Sequence, residues 1–151
     1  MVYVDEMGMD SFLYREHARA PRGERVFGVI SGRKYKRTSI VAGKCGRKIL
    51  VPLSYEGTTD SSLFEFWFEN MLIPELAAGQ TVVLDNASFH RKNQVRKLAE
   101  QAGCTVIFLP PYSPDLNPIE NFWAWLKRKM KDMLRCHDEF NAALTACFQL
   151  E

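Results

Sequence analysis

Three acids stand where a fold collects ligands: Asp5 behind the apolar run Val2 to Val4, Asp85 behind Thr81 to Leu84, and Glu120 just after Asn117-Pro118. Carboxylate oxygens are hard donors that suit Mg²⁺ or Mn²⁺, ions that keep several waters and bind phosphates through one or two carboxylates rather than a full protein cage. Two such ions about 4 Å apart can hold a nucleophilic water and a leaving 3′-oxygen in line across a phosphodiester. Three acids are enough for that. Each has a plainer reading as well: Asp85-Asn86 as an Asx turn closing a strand, Glu120 as the capping-box partner of Asn117, and Asp5 as an exposed loop residue. Glu6 competes with Asp5, because adjacent strand residues point to opposite faces and only one of the two can face the site.

Such a site needs strands that end side by side, and the hydrophobic pattern supplies them. Val2 to Val4 is a short β-like run. After a loop-like stretch around Pro21 to Gly23 come β-rich segments near Val26 to Ile30, Thr38 to Ala42 and Lys48 to Leu53, separated by turn glycines, which predict an antiparallel meander. From Ser61 or Ser62 to about Leu76, the recurrence of Leu63, Phe64, Trp67, Phe68, Met71 and Leu72 predicts a helix buried on a wide face, its aromatics core. Thr81 to Leu84 reads as a strand. Val95, Leu98, Ala99 and Ala102, stopped by Gly103, read as a helix, and Cys104 to Leu109 as a strand broken by Pro110-Pro111. Strand, helix, strand implies a parallel pair with a right-handed crossover. Asn117-Pro118-Ile119-Glu120 has the form of a capping-box start. Beyond it Ile119, Phe122, Leu126, Met130 and Met133 form one face of a helix whose other side carries Lys127, Arg128 and Lys131, and a short helix is expected over Asp138 to Phe148. The fold class is α/β: a mixed five-stranded sheet, three strands antiparallel and then two parallel, flanked by helices.

Composition sets the outer limits. A chain of 151 residues with 46% apolar and 25% charged residues is a single globular domain, too apolar for disorder and too charged for a membrane protein. No apolar run nears the ~18 residues of a membrane span, and MVYVDE lacks the regions of a signal peptide, so a cytoplasmic location is expected, nucleoid-associated in a bacterium. Cys45, Cys104, Cys136 and Cys147 lie far apart without a C-x-x-C pair, which signals reduced structural thiols. Net charge is nearly zero but unevenly spread: between Arg22 and Lys48 nine basic residues face one acid, Glu24. Within that run Arg33, Lys34, Lys36 and Arg37, and on the late helix Lys127, Arg128 and Lys131, are candidates for binding a polyanion, nucleic acid first; solvated surface is the alternative.

The stretches Val83-Leu84-Asp85-Asn86-Ala87-Ser88-Phe89-His90 and Pro110-Pro111-Tyr112-Ser113-Pro114-Asp115-Leu116-Asn117-Pro118-Ile119-Glu120-Asn121-Phe122-Trp123 resemble the catalytic signature of DDE transposases of the Tc/mariner superfamily, particularly their bacterial insertion-sequence relatives. The 34 residues between Asp85 and Glu120 match that group, and Asp5-Glu6 resembles the motif around its first acid. The resemblance covers nearly the whole chain. It implies an RNase H-like fold, divalent-metal-dependent DNA cleavage at transposon ends and strand transfer of the freed 3′-hydroxyl. Asp5, Asp85 and Glu120 are then the catalytic and metal-binding residues, with Mg²⁺ or Mn²⁺, two ions, as cofactor. The implied partners are transposon-end and target DNA and a second copy of the chain. No helix-turn-helix recognition module is visible before the first acid, so sequence reading is expected from a separately encoded part, another reading frame, or a module that has been lost.

Around the acids, Asn86 either orients Asp85 or only turns the chain, and His90 either contacts DNA or orients a water, or else caps or packs at a helix start. Pro110, Pro111 and Pro114 form a stiff connection that sets where Asn117 and Glu120 arrive. Trp123 and Trp125 lie on opposite sides of a helix, so at least one is core. Two weaker readings stay open: a non-catalytic remnant that binds DNA or a partner through its basic face, and a stand-alone ribonuclease H-like hydrolase.

Overall fold

The computed structural model describes residues 1–10, 37–111, 113–134, 136–137 and 139–149. The first strand, β1 (Val2–Asp10), runs well past the apolar Val2 to Val4 run. Its even members Val2 and Val4 enter one core, while Met7 and Met9 enter another on the opposite face. Polar Glu6 and Gly8 hide this period-2 pattern, and the extra length comes from antiparallel pairing with β2 (Arg37–Cys45) out to Asp10↔Arg37. β2 in turn pairs antiparallel with β3 (Lys48–Glu56). The three antiparallel strands are therefore β1, β2 and β3, and the expected strand at Val26 to Ile30 lies outside the described residues.

Between Val41 and Gly43 the β2–β3 register shifts, with Val51 at φ 42°, a left-handed value that a β-branched residue tolerates poorly. Trp67 Nε1–H donates to the Val51 carbonyl at 2.8 Å, so the irregularity has a partner in the core.

The segment expected as one long helix is three short ones. α1 (Ser61–Trp67) starts at Asp60, whose side chain accepts from Leu63 N–H, and continues as a π turn, Phe68–Leu72, and a 3₁₀ turn, Ile73–Glu75. Pro74 has no N–H to give an α-helix, so the last turn tightens and stops. Phe64, Trp67, Phe68 and Leu72 are nonetheless buried, as the periodicity requires.

β4 (Thr81–Leu84), α2 (Lys92–Gln101) and β5 (Thr105–Phe108) form the parallel crossover unit. α2 ends before Gly103, whose φ of 71° suits glycine. The strand order is β3-β2-β1-β4-β5. α1 and α2 share one core with Val2, Val4, Val82 and Leu84. On the other face α3 (Ile119–Met133) and α4 (Phe140–Phe148) pack over Met7, Met9, Ile40 and Ala42 through Ile119, Phe122, Trp123, Leu126 and Met130. All four cysteines are free thiols. Among the described residues no helix is long and apolar enough to cross a membrane.

Candidate active site

β1 pairs antiparallel on one side and parallel on the other, and parallel strands in such a sheet gather ligands at their C-terminal ends. Its ladder with β4 has two rungs, Val2↔Val82 and Tyr3↔Val83. Asp5 and Asp85 each lie two residues beyond the last rung, so both acids leave the sheet at the same end. Alternation puts Asp5 on the face that α3 covers, and α3 brings Glu120 in its first turn. The three acids line one open pocket of about 390 Å³ together with Asn86, Leu109, Pro110, Pro111, Pro114 and Asn117.

Asp5 is buried rather than an exposed loop residue. Its Oδ2 accepts a hydrogen bond from Trp123 Nε1–H at 2.9 Å. Burial, then the charge of Glu120, push its pKa up to about 7 against the lowering effect of Trp123 and of a backbone hydrogen bond, and Asp85 adds to the rise. Asp85 does close an Asx turn, its Oδ1 accepting Ala87 N–H at 3.0 Å, and it lines the pocket as well. Burial would raise its pKa. The His90 ring at 3.0 Å, the Ala87 N–H and the charge His90 carries when protonated outweigh burial and hold Asp85 below the usual range.

The capping box is not made. Asn117 N–H is taken by the Pro114 carbonyl at 2.9 Å, a product of the 3₁₀ turn Pro114–Leu116, and no side chain caps α3. Asn117 is buried instead, and its Nδ2 donates to the Val4 carbonyl at 3.4 Å, tying the start of α3 to the strand beside Asp5. Glu120 is thereby relieved of any capping work and sits exposed at the pocket.

Glu6 points to the opposite face from Asp5 yet also reaches Asp85. Ligand atoms of Glu6, Asp85 and His90 all lie within 4.8 Å of one another. Burial and the charges of Asp5 and Asp85 raise the Glu6 pKa well above the carboxylate range. His90 is buried, its ring 4.2 Å from that of Phe64 and 4.3 Å from that of Phe89. Asn86 lines the pocket beside Asp85.

Among the basic candidates, Arg37 lines a second cavity of about 260 Å³ shared with Asp5, Glu6 and Asp85. Its guanidinium lies across Gly8, where an added Cβ would come within 2.2 Å of Nη2. Lys127, Arg128 and Lys131 are exposed on the outer side of α3. Arg33, Lys34 and Lys36 lie outside the described residues.

Three features escaped the sequence reading. Trp123 is core, as one of the two tryptophans had to be, but its N–H also holds Asp5; the signal was an indole three residues after Glu120, one helical turn along. Glu6 and His90 meet at Asp85 from separate segments, with no local signal. Lys92 and Arg96 of α2 stand over the Phe108 ring of β5 at 5.5 and 5.1 Å; their i, i+4 spacing on α2 was the visible clue.

Comparison with known proteins bears on the family and the fold. The chain is 40% identical over 50 residues to the uncharacterized protein y4pE/y4sA of Sinorhizobium fredii, covering 33% of this chain and 35% of that protein. It is 34% identical over 79 residues to the transposable element Tcb1 transposase of Caenorhabditis briggsae, covering 50% of this chain and 29% of that one. The chain thus spans about a third of the length of these curated relatives. Its fold is that of the Mos1 transposase in a paired-end complex with the left transposon end: TM-score 0.69 at 18% identity, over 84% of this chain and 40% of that one. A pre-cleavage Mos1 transpososome gives a TM-score of 0.65 at 16% identity, over 98% and 54% of the two chains. A Mos1 mariner paired-end complex with Mn gives 0.57 at 18% identity, over 78% and 38%. The sheet is accordingly RNase H-like, and because residues 1–141 match the DDE superfamily endonucleases as a family, the chain belongs to that family.

Proposed function

We propose that this domain is a divalent-metal-dependent DNA endonuclease and strand-transferase, the catalytic part of a cut-and-paste transposase, working through Asp5, Asp85 and Glu120. The observation that carries the reading is the shared pocket: three acids from β1, the end of β4 and the first turn of α3 converge on one opening, at an electrostatic cost that appears in Asp5. Clustered carboxylates repel each other and would repel DNA phosphates, so the arrangement makes physical sense with a cation among them. The donor set fits the group, since all three side chains offer hard oxygens and the pocket has room for water and a phosphate. That a Mos1 complex was solved with Mn supports the choice of Mg²⁺ or Mn²⁺; the two-metal chemistry of phosphodiester cleavage is the reason for reading two ions here. When bound, such ions supply activation of a water and charge relief at the leaving 3′-oxygen.

The chain's own residues position the acids. Trp123 fixes one oxygen of Asp5, the Asx turn fixes Oδ1 of Asp85, Asn86 flanks it, and the proline-rich connection with Asn117 sets where α3 delivers Glu120. DNA runs across Arg37 and the basic face of α3, with the Arg33 to Lys36 segment and Lys92 and Arg96 as further phosphate contacts, and two copies of the chain act together on paired transposon ends. The test is nicking of supercoiled plasmid in Mg²⁺ or Mn²⁺. Asp85→Asn should abolish nicking with the fold intact. Full activity of that variant beside active wild type refutes the assignment. DNA binding without any metal-dependent nicking by the wild type favours the remnant reading.

A further inference from the structure

Behind the pocket, on the α1 side of the sheet, Glu6 and His90 form a group that the three-acid chemistry does not use. The side chain of His90 is 1% exposed and that of Glu6 10%, yet both ring nitrogens of His90 and Oε1 of Glu6 lack a hydrogen-bond partner. Buried polar atoms left in that state are rare and ask for an explanation, an ion among them. His90 Nε2 lies 3.0 Å from Asp85 Oδ1 and 3.7 Å from Glu6 Oε1, and neither approach has hydrogen-bond geometry.

Those spacings come near the ones a small cation imposes. With ligand distances near 2.1 Å, donors around one ion sit about 3.0 Å apart in an octahedron and about 3.4 Å apart in a tetrahedron. The His90–Asp85 spacing of 3.0 Å matches the octahedral value, and the His90–Glu6 spacing of 3.7 Å lies about 0.3 Å beyond the tetrahedral one. One imidazole and two carboxylates suit a borderline transition ion, whereas Mg²⁺ prefers oxygen alone. The cavity of about 260 Å³ lined by Glu6 and Asp85 gives an entry path and room for a water in the open position.

We propose that Glu6, Asp85 and His90 form a second metal site, selective for Zn²⁺-class transition ions and sharing Asp85 with the Asp5, Asp85, Glu120 pocket. The proposal goes beyond the nuclease reading and is tested without measuring cleavage. Co²⁺ serves as the probe, because its visible absorption reports coordination number and geometry, with Zn²⁺ competition giving the affinity and excess Mg²⁺ present throughout to fill the all-oxygen pocket. Wild type should take up one Co²⁺ that Zn²⁺ displaces and Mg²⁺ does not. His90→Gln and Glu6→Gln should each weaken it by about 100-fold or more, beyond what loss of an outer partner costs. Glu120→Gln should leave it within about threefold, since that residue belongs only to the other pocket. Because His90 packs between aromatic rings, melting curves accompany each variant, and Glu6→Gln, which keeps the side-chain shape, decides alone if His90→Gln fails to fold. Unchanged Co²⁺ binding in Glu6→Gln, or loss in Glu120→Gln, overturns the proposal and assigns any bound ion to the oxygen pocket.

Discussion

Asp5→Asn should stabilise the metal-free protein, by an amount that grows with pH. Asp5 is raised from 3.8 to about 7 by burial and by Glu120 and Asp85. At about 1.4 kcal/mol per pKa unit, ionising it in place costs roughly 4 kcal/mol. The sign follows from proton binding: between about pH 4 and pH 7 the folded chain keeps a proton that the unfolded chain has released, so wild-type stability falls as pH rises through that window and levels off above it. Asn removes this slope while its carbonyl can still accept from Trp123 Nε1–H. The variant should therefore be more stable by up to about 4 kcal/mol at pH 8, of order 10 °C in melting temperature, with the two proteins nearly coincident at pH 4. Urea titrations across that range in EDTA measure the difference. Added Mg²⁺ should narrow the gap at pH 8, because only the wild type gains from binding. A stability difference that does not vary with pH, or a variant less stable at pH 8, would show that Asp5 does not sit in a crowd of negative charge.

Glu120→Gln and Glu120→Ala should both abolish metal-dependent plasmid nicking. Because the Asn117 N–H is already bonded to Pro114, neither should lose the ~1 kcal/mol that a broken cap costs; robust nicking by the Gln variant would place the third acid elsewhere. Replacing Arg37, Lys127, Arg128 and Lys131 with Ala should weaken DNA binding alike for all sequences and flatten its salt dependence, read by fluorescence anisotropy over a salt series, and an unchanged slope returns these residues to plain surface. Trp67→Phe should cost about 1–3 kcal/mol in urea unfolding by stranding the Val51 carbonyl in its irregular β2–β3 segment.

Much of this molecule was legible because its cores repeat at simple periods. The stripe Ile119, Phe122, Leu126, Met130 placed α3, and the apolar runs ending at Asp85 and Leu109 placed the parallel pair. Legibility failed where one group had two local partners to choose from. Asn117 followed by Pro118 and Glu120 has the form of a cap, but the Pro114 carbonyl competes for the same N–H and wins, a contest that depends on how the chain turns before the helix. It failed again where a polar residue is buried by distant segments. Glu6 is an unremarkable strand acid until His90, 84 positions away, is packed against it. The aromatic run after Ser61 showed which side chains are buried, but not that the backbone would loosen into a π turn and then tighten at Pro74.

The two-rung ladder between β1 and β4 makes the site a pair of lever arms. Past the last rung each strand carries its acid over two residues, roughly 7 Å at about 3.3 Å per residue, without hydrogen bonds from the other to set the gap. A relative rotation of one degree about that rung moves the acids by ~0.1 Å, and metal–ligand distances tolerate only ~0.2 Å, so on the proposed metal-binding reading about two degrees of twist would be felt at the site. The fulcrum is Val2, Tyr3, Val82 and Val83, of which only Tyr3 is not buried and none touches the pocket. On the proposed reading of the site, packing at these rungs bears on the spacing of Asp5 and Asp85 as well as on stability.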